Sequence, residues 1–321
     1  MSYLVLARKY RPQTFDQVVQ QAHVTRTLAN AITSGRVAHA ILFAGPRGTG
    51  KTTVARRLAK DMNCEQGPPP QPCNVCRSCR EITAGNAADV YEIDGASNNS
   101  VEQVRELREN LQYMPSHSPR KIYIIDEVHM LSLQAFNALL KTLEEPPAHV
   151  MFLFATTEPH KIPATILSRC QRHDLRRIDL TAIAAHLQTL CRRQEVVVQP
   201  ESLGLIAREA GGSMRDALSL LDQVIASADA ADGVDPRKVP EILGVIERKI
   251  LHDLAAAILD RDLSAVLEQL DEIYDRGHDL KKLHGDLLEH FRNLLVAKIG
   301  RNPERLIELP GHELAQLRAL R

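Results

Sequence analysis

Residues 45–52 read Gly45-Pro46-Arg47-Gly48-Thr49-Gly50-Lys51-Thr52, a Gly-x-x-x-x-Gly-Lys-Thr pattern set between an apolar run and a helical repeat. Such a loop restricts the fold sharply. Its glycines let the backbone curl until successive N–H groups converge, a shape found where a buried strand delivers the chain to the start of a helix. The flanks supply both elements. Ala40-Ile41-Leu42-Phe43-Ala44 has the length and apolarity of a buried strand, and Thr53 to Asn63 carries helical spacing through Val54, Leu58 and Met62. A mere glycine-rich turn would need neither. The arrangement suits a nucleoside triphosphate: loop N–H groups face the phosphates, Lys51 reaches the β/γ oxygens, and the Thr52 hydroxyl ligates magnesium. Gly45, Pro46, Arg47, Gly48, Thr49, Gly50, Lys51, Thr52 and Thr53 are therefore the candidate nucleotide-binding residues of this loop.

Four of the six cysteines, Cys64, Cys73, Cys76 and Cys79, form a C-x8-C-x2-C-x2-C cluster. Paired Cys-x-x-Cys spacing brings thiolates within reach of one tetrahedral metal, so the cluster reads as a four-thiolate zinc site. An iron–sulfur cluster and unligated thiols stay open as alternatives. Glu65 to Pro72, rich in Gly and Pro, suits a knuckle loop between the first ligand and the rest. Cys170 and Cys191 stand alone and read as packing residues.

With 321 residues the chain has length for two or three domains. No apolar stretch approaches the roughly 18 residues of a membrane span, and Met1 to Tyr10 lacks the apolar centre of a signal peptide. A soluble, cytoplasmic protein with no membrane partner is the expectation. Lys plus Arg (40) balances Asp plus Glu (40), so no global basic field argues for indiscriminate nucleic-acid binding. Any DNA contact must be local. Six Tyr, six Phe and no Trp leave few platforms for stacking single-stranded bases.

Further strand-like runs follow at Val90–Ile93, Ile122–Ile125 and Val150–Ala155, separated by helical repeats at Val101–Leu111 and Leu133–Leu143. The alternation predicts an α/β unit with a parallel sheet covered by helices on both faces, its ligands at the C-terminal edge of the strands. Asp126-Glu127 leaves the third run directly. A carboxylate there can hold hydrated magnesium while its neighbour orients and deprotonates the attacking water, which assigns Asp126 to the metal and Glu127 to the water. Taken alone, the acidic pair could simply favour the start of the next helix. Thr157, at the end of the fourth run, lies at the same edge and could bond the γ-phosphate or its water. Beyond Leu175 the pattern is helical: Thr181–Cys191, Pro200–Ala210 and Met214–Ala226, then a break at Ala230–Pro236, then Leu251–Leu259, Leu263–Tyr274 and Leu280–Lys298. No residue set for nucleotide polymerisation is visible.

Together these segments resemble the AAA+ ATPases of the bacterial clamp loader, in the gamma/tau family of DNA polymerase III. The resemblance is carried by Leu6-Ala7-Arg8-Lys9-Tyr10-Arg11-Pro12-Gln13-Thr14-Phe15, the phosphate loop, the cysteine insert and Ile125 to Leu131. It continues through Ala138 to Pro147, Ser168-Arg169-Cys170 and Gly212-Ser213-Met214-Arg215-Asp216-Ala217-Leu218-Ser219. It implies an AAA+ P-loop domain with a five-stranded parallel sheet over 1–178, carrying the zinc insert at 64–79. An all-α lid over 179–241 and an incomplete all-α collar over 242–321 would follow. It implies that Arg169 is an arginine finger reaching a neighbour's γ-phosphate, that Arg215 is the sensor 2 arginine of the lid, and that Thr157 is sensor 1. Ala7 to Val19 would close over the adenine, with Ala7, Val18 and Val19 as contacts. ATP, Mg2+ and Zn2+ are the implied cofactors. Implied partners are the delta and delta prime subunits, further gamma/tau copies, the sliding clamp and primer–template DNA. The surface that meets the clamp is not given by the residues, and the helix after the second strand is the candidate for it. Two departures stand out. The family often carries glycine where Gln21 stands, and the stretch after Gly300 stops short of a full collar, which reads as a fragment. A scaffold subunit that binds nucleotide without hydrolysing it is the alternative within the same ring.

Overall fold

The computed structural model describes residues 4–67, 71–97, 109–227, 234–246 and 248–300. They fall into two compact units, Met1–Ala226 and Ser227–Arg321. The first unit holds five parallel strands, β1 (Ala40–Ala44), β2 (Val90–Asp94), β3 (Lys121–Asp126), β4 (Val150–Thr156) and β5 (Gln171–Asp174). Their spatial order is β2-β3-β4-β1-β5. After β1 the chain crosses to the far edge to lay down β2, walks back through β3 and β4, and then covers the other side of β1 with β5. This brings the C-terminal ends of β3, β4 and β1 out side by side, where an open parallel sheet leaves its binding crevice.

Helices α1 (Leu6–Lys9), α2 (Ala22–Thr33), α3 (Lys51–Asn63), α4 (Arg77–Ala84), α5 (Leu133–Glu144) and α6 (Ala164–Leu167) belong to this unit. Both faces of the sheet are buried, which is why the central strands read as unbroken apolar runs rather than alternating ones. One face packs Ile41, Phe43, Ile122, Ile124, Met151 and Leu153 against Val24, Leu28 and Ile32 of α2 and Val54 and Leu58 of α3. The opposite face packs Leu42, Tyr123, Ile125, Phe152 and Phe154 against Phe136, Leu139 and Leu143 of α5. The Ser132 side chain caps α5 by accepting from Ala135 N at 3.2 Å, so that helix starts where its apolar stripe does.

The residue pattern gave four strands, and the fifth is the one it missed. β5 is Gln171-Arg172-His173-Asp174, an edge strand paired only to β1. His173 alone is buried, its ring stacked on Phe43 with centroids 6.0 Å apart. Backbone pairing rather than side-chain apolarity makes it a strand. Helices α2 and α4 were likewise not assigned from the pattern.

Three further helices close the first unit: α7 (Leu180–Arg193), α8 (Pro200–Glu209) and α9 (Met214–Ala226). Ile183, Leu187 and Leu190 of α7, Leu203 and Ile206 of α8, and Leu221 and Val224 of α9 are buried. The break between compact units comes after Ala226. The N-terminal segment explains the joining of sheet and lid, since Leu6 N donates to the buried Asp222 of α9 at 3.1 Å. In the second unit α10 (Val239–Ile242), α11 (Arg248–Leu259), α12 (Leu263–Asp275) and α13 (Leu280–Ile299) bury Leu254, Ile273 and Leu283 around one apolar cluster and Ala255, Leu294 and Ala297 in another. Asp262 and Asp279 cap α12 and α13 through their carboxylates. Most of the repeat at 101–111, and with it the proposed clamp-facing helix, lies outside the described residues. So do 68–70 of the insert, 230–233 of the break and everything after 300.

Candidate functional site

A cleft opens at the sheet edge between residues 47–53, the segment Ala7–Val19 and the helices α7 and α9. Two glycines shape its floor. Gly50, with φ 103°, turns the chain into α3 in a conformation that residues with a Cβ avoid. Gly48, with φ 72°, lies so close to the lid that an added Cβ would meet Ser213 Oγ at 1.8 Å. Its carbonyl accepts from Met214 N at 3.1 Å. The start of α9 is thus bonded directly to the phosphate loop, and Arg215, the next residue, lines the cleft.

Lys51 is buried, and its Nζ donates to Gly45 O at 3.0 Å and Pro46 O at 2.9 Å. Burial lowers its pKa, an effect opposed by the nearby Glu127 and Asp126 carboxylates. The Arg11 guanidinium is lowered for the same first reason, and next by the Arg56 charge. Two partly desolvated cations facing one cleft favour an anion there. Thr52 Oγ1 donates to Asp126 Oδ2 at 2.7 Å. Neighbouring ligands of an octahedral magnesium with bonds of about 2.0–2.1 Å stand roughly 2.9 Å apart, so this oxygen pair fits the ion. Asp126 and Thr52 come from different elements, seventy-four residues apart in sequence.

Glu127 leaves β3 in the left-handed region, φ 45°, a conformation that costs a non-glycine residue about 1–3 kcal/mol and clusters at functional sites. Its side chain lines the cleft, and Oε2 accepts from Thr157 N at 3.0 Å and Thr157 Oγ1 at 2.9 Å. Thr157 therefore meets Glu127 rather than lining the cleft itself. Arg169 is also outside the cleft. It pairs with Glu144 and donates to Thr165 O at 2.6 Å. Of the residues expected around the base, Ala7, Val18 and Val19 line the cleft. Arg11, Ile178, His186 and Leu218 line it too and were not singled out. Leu218 sits in the apolar stripe of α9 and looks like ordinary core, Ile178 lies in the irregular segment before α7, and His186 is pushed toward its neutral form by burial.

The segment that walls the cleft is tied to the stretch before α7. Gln21 exchanges two hydrogen bonds with the backbone of Arg176, at 2.8 and 3.1 Å, and Gln20 exchanges two with Asp179, both at 2.8 Å. Gln20 has φ 55° and Gln21 φ −106°, so the glycine-like backbone lies one residue before the position the resemblance suggested. The Gln20 amide contacts compensate a conformation that glycine would adopt freely.

Cys64, Cys73, Cys76 and Cys79 come together with all four Sγ atoms within 4.8 Å of one another. A tetrahedral zinc with bonds of about 2.3 Å needs sulfurs roughly 3.8 Å apart, and Cys73 and Cys79 stand at 3.9 Å. The N–H groups of Cys73, Cys76 and Cys79 each donate to the sulfur of the preceding cluster cysteine, at 3.2–3.4 Å. N–H donors of Val75 and Cys76 draw the Cys73 thiol down to about 6, while burial pushes the Cys79 thiol up. The donor set fits a single small tetrahedral ion. Lys60 of α3 donates to Asn74 Oδ1 at 3.1 Å and to Gln13, placing a cation beside the cluster and linking it to the cleft wall.

Comparison with known proteins matches three stretches of the chain. Residues 20–179 match the family described as DNA polymerase III, delta subunit. Residues 182–230 match the DNA polymerase III clamp loader subunit ATPase lid domain, and 234–321 match DNA polymerase III subunits gamma and tau domain III. The chain is 48% identical over 311 residues to the DNA polymerase III subunit tau of Bacillus subtilis, covering 96% of this chain and 54% of that protein. It is 46% identical over 320 residues to the tau subunit of Escherichia coli, covering 98% and 50%. It is 41% identical over 300 residues to the gamma subunit of Buchnera aphidicola, covering 93% and 80%. The chain thus spans about half the length of the first two relatives. Among solved structures, the Thermotoga maritima RuvB Holliday junction branch migration motor superposes with TM-score 0.56 at 19% identity, over 82% of this chain and 85% of that one, a likeness of fold.

Proposed function

The chain belongs to the gamma/tau family of DNA polymerase III clamp-loader subunits, and from that premise we propose that it is an ATP-driven motor subunit of a clamp loader, hydrolysing ATP to place a sliding clamp on primed DNA in the cytoplasm. Its partners would be the delta and delta prime subunits, further gamma/tau copies, the clamp and primer–template DNA. The observation that carries the reading is the meeting, at one sheet edge, of Lys51, the Thr52–Asp126 pair and Glu127. The base would lie between Val18-Val19 and the lid, and the phosphates over the loop N–H groups and Lys51. Thr52 and Asp126 would hold magnesium, which neutralises charge on the β and γ oxygens. Glu127 would take the proton of the attacking water. Arg215, fixed one residue beyond the Met214–Gly48 bond, would sense the γ-phosphate and pass its loss to the lid. Arg169 would act on the pocket of the next subunit, which accords with its place outside its own cleft. Phosphate loss would then relax the grip on the clamp.

A non-hydrolysing scaffold is the weaker reading, because Lys51, Asp126 and Glu127 are all present. ATP turnover of the full-length protein, with its partner subunits, clamp and primed DNA added stepwise, separates the two. Turnover should rise at each addition and vanish with Lys51→Ala; a rate that ignores this substitution sinks the motor reading.

We also propose that the cysteine cluster holds zinc in a structural role, with Lys60 offsetting part of the thiolate charge. Metal analysis should find one zinc per chain, and chelation should lower Tm while turnover at 25 °C survives. Loss of turnover with fold and assembly intact would instead tie the ion to the chemistry.

A further inference from the structure

His129 lies three residues from Asp126, and its side chain is almost fully buried. Its ring is bounded by Glu127, Thr156 and Glu158. Nδ1 lies 3.3 Å from Glu127 Oε2 and 2.9 Å from Thr156 Oγ1, while Nε2 lies 3.1 Å from Glu158 Oε2. Glu158 is itself held from outside by Lys161 at 2.9 Å, with His160 at 3.8 Å, and Thr156 Oγ1 accepts Glu158 N at 3.0 Å. Glu158 and Thr156 therefore fix the ring. Each ring nitrogen thus faces a carboxylate oxygen, Nδ1 that of Glu127 and Nε2 that of Glu158.

We propose that His129 is a positioning residue for hydrolysis: together with Thr157 it fastens the Glu127 Oε2 atom, so that Oε1 is the oxygen left to take the proton of the attacking water. Oε2 has two Thr157 donors and the His129 Nδ1 on one side, whereas no described residue donates to Oε1. A carboxylate anchored at one oxygen cannot swing, and holding a base in line is worth a large part of its effect. The inference rests on the reading of Glu127 as the base.

The two amide replacements of histidine test it, because the asparagine amide nitrogen overlies Nδ1 and the glutamine amide nitrogen overlies Nε2. In the assembled ring, with clamp and primed DNA, His129→Gln loses the donor to Glu127 and should lower kcat roughly tenfold with KM for ATP unchanged. His129→Asn keeps that donor and should recover most of kcat. Equal kcat in the two variants would overturn the proposal, as would a loss that appears in KM or only in Tm. Glu127→Gln, measured alongside, separates the two layers. If it hydrolyses normally the base assignment itself fails, and if it is inactive while His129→Gln is normal, only the positioning role fails.

Discussion

Arg169→Ala should lower ATP turnover of the assembled ring by about 10³-fold or more, the scale on which an arginine finger acts in related phosphoryl-transfer sites. Nucleotide affinity should barely change, because Arg169 lies outside the cleft of its own chain. The guanidinium is free to serve a neighbour at small cost. Its pair with Glu144 is half-exposed, and surface pairs of this kind are worth less than about 1 kcal/mol. Arg169→Lys should rescue little, since a planar fork that can reach two phosphate oxygens is replaced by a point charge. Full turnover by Arg169→Ala would remove the reason for coupling hydrolysis to assembly.

Glu127→Gln should cost about 10²–10⁴ in kcat, the usual share of a general base, with ATP still bound. The amide keeps the volume of the side chain and can still accept from Thr157 N through its carbonyl oxygen, so the strained backbone at Glu127 need not relax. What it loses is the ability to take a proton. Such a variant should hold the ring in its ATP-bound posture, gripping the clamp without release. Clamp binding persisting without turnover is the signature to measure by pull-down and phosphate release; turnover close to the parent rate would return Glu127 to a merely structural place at the strand end.

The parts of the site that were legible in the sequence are those where one residue type has one use. Gly48, Gly50, Lys51, Thr52 and Asp126 fall in patterns whose spacing follows from the strand–loop–helix they build, and the central strands announced themselves because both their faces are buried. What did not show is whatever depends on backbone or on distant partners. β5 carries one buried side chain in four, so no apolar period marks it. Arg11 and His186 reach the cleft from segments whose pattern speaks only of helix or turn. Glu127 and Thr157 were each visible as candidates, yet their bond to one another arises from the adjacency of β3 and β4 and could not be read from positions 30 apart in the sequence. The left-handed turn at Gln20 was similarly hidden, because the amide contacts that stabilise it lie with Asp179.

The central claim is that one chain holds the triphosphate and another completes the machinery that cleaves it. Mixing two inactive full-length variants tests this most directly: Arg169→Ala has a sound pocket and no finger, and Glu127→Gln has a finger and a disabled pocket. Co-assembled with the partner subunits, clamp and primed DNA, they should regain a substantial fraction of parent ATP turnover, because some sound pockets then face intact fingers. A mixture as inactive as either variant alone would contradict the account.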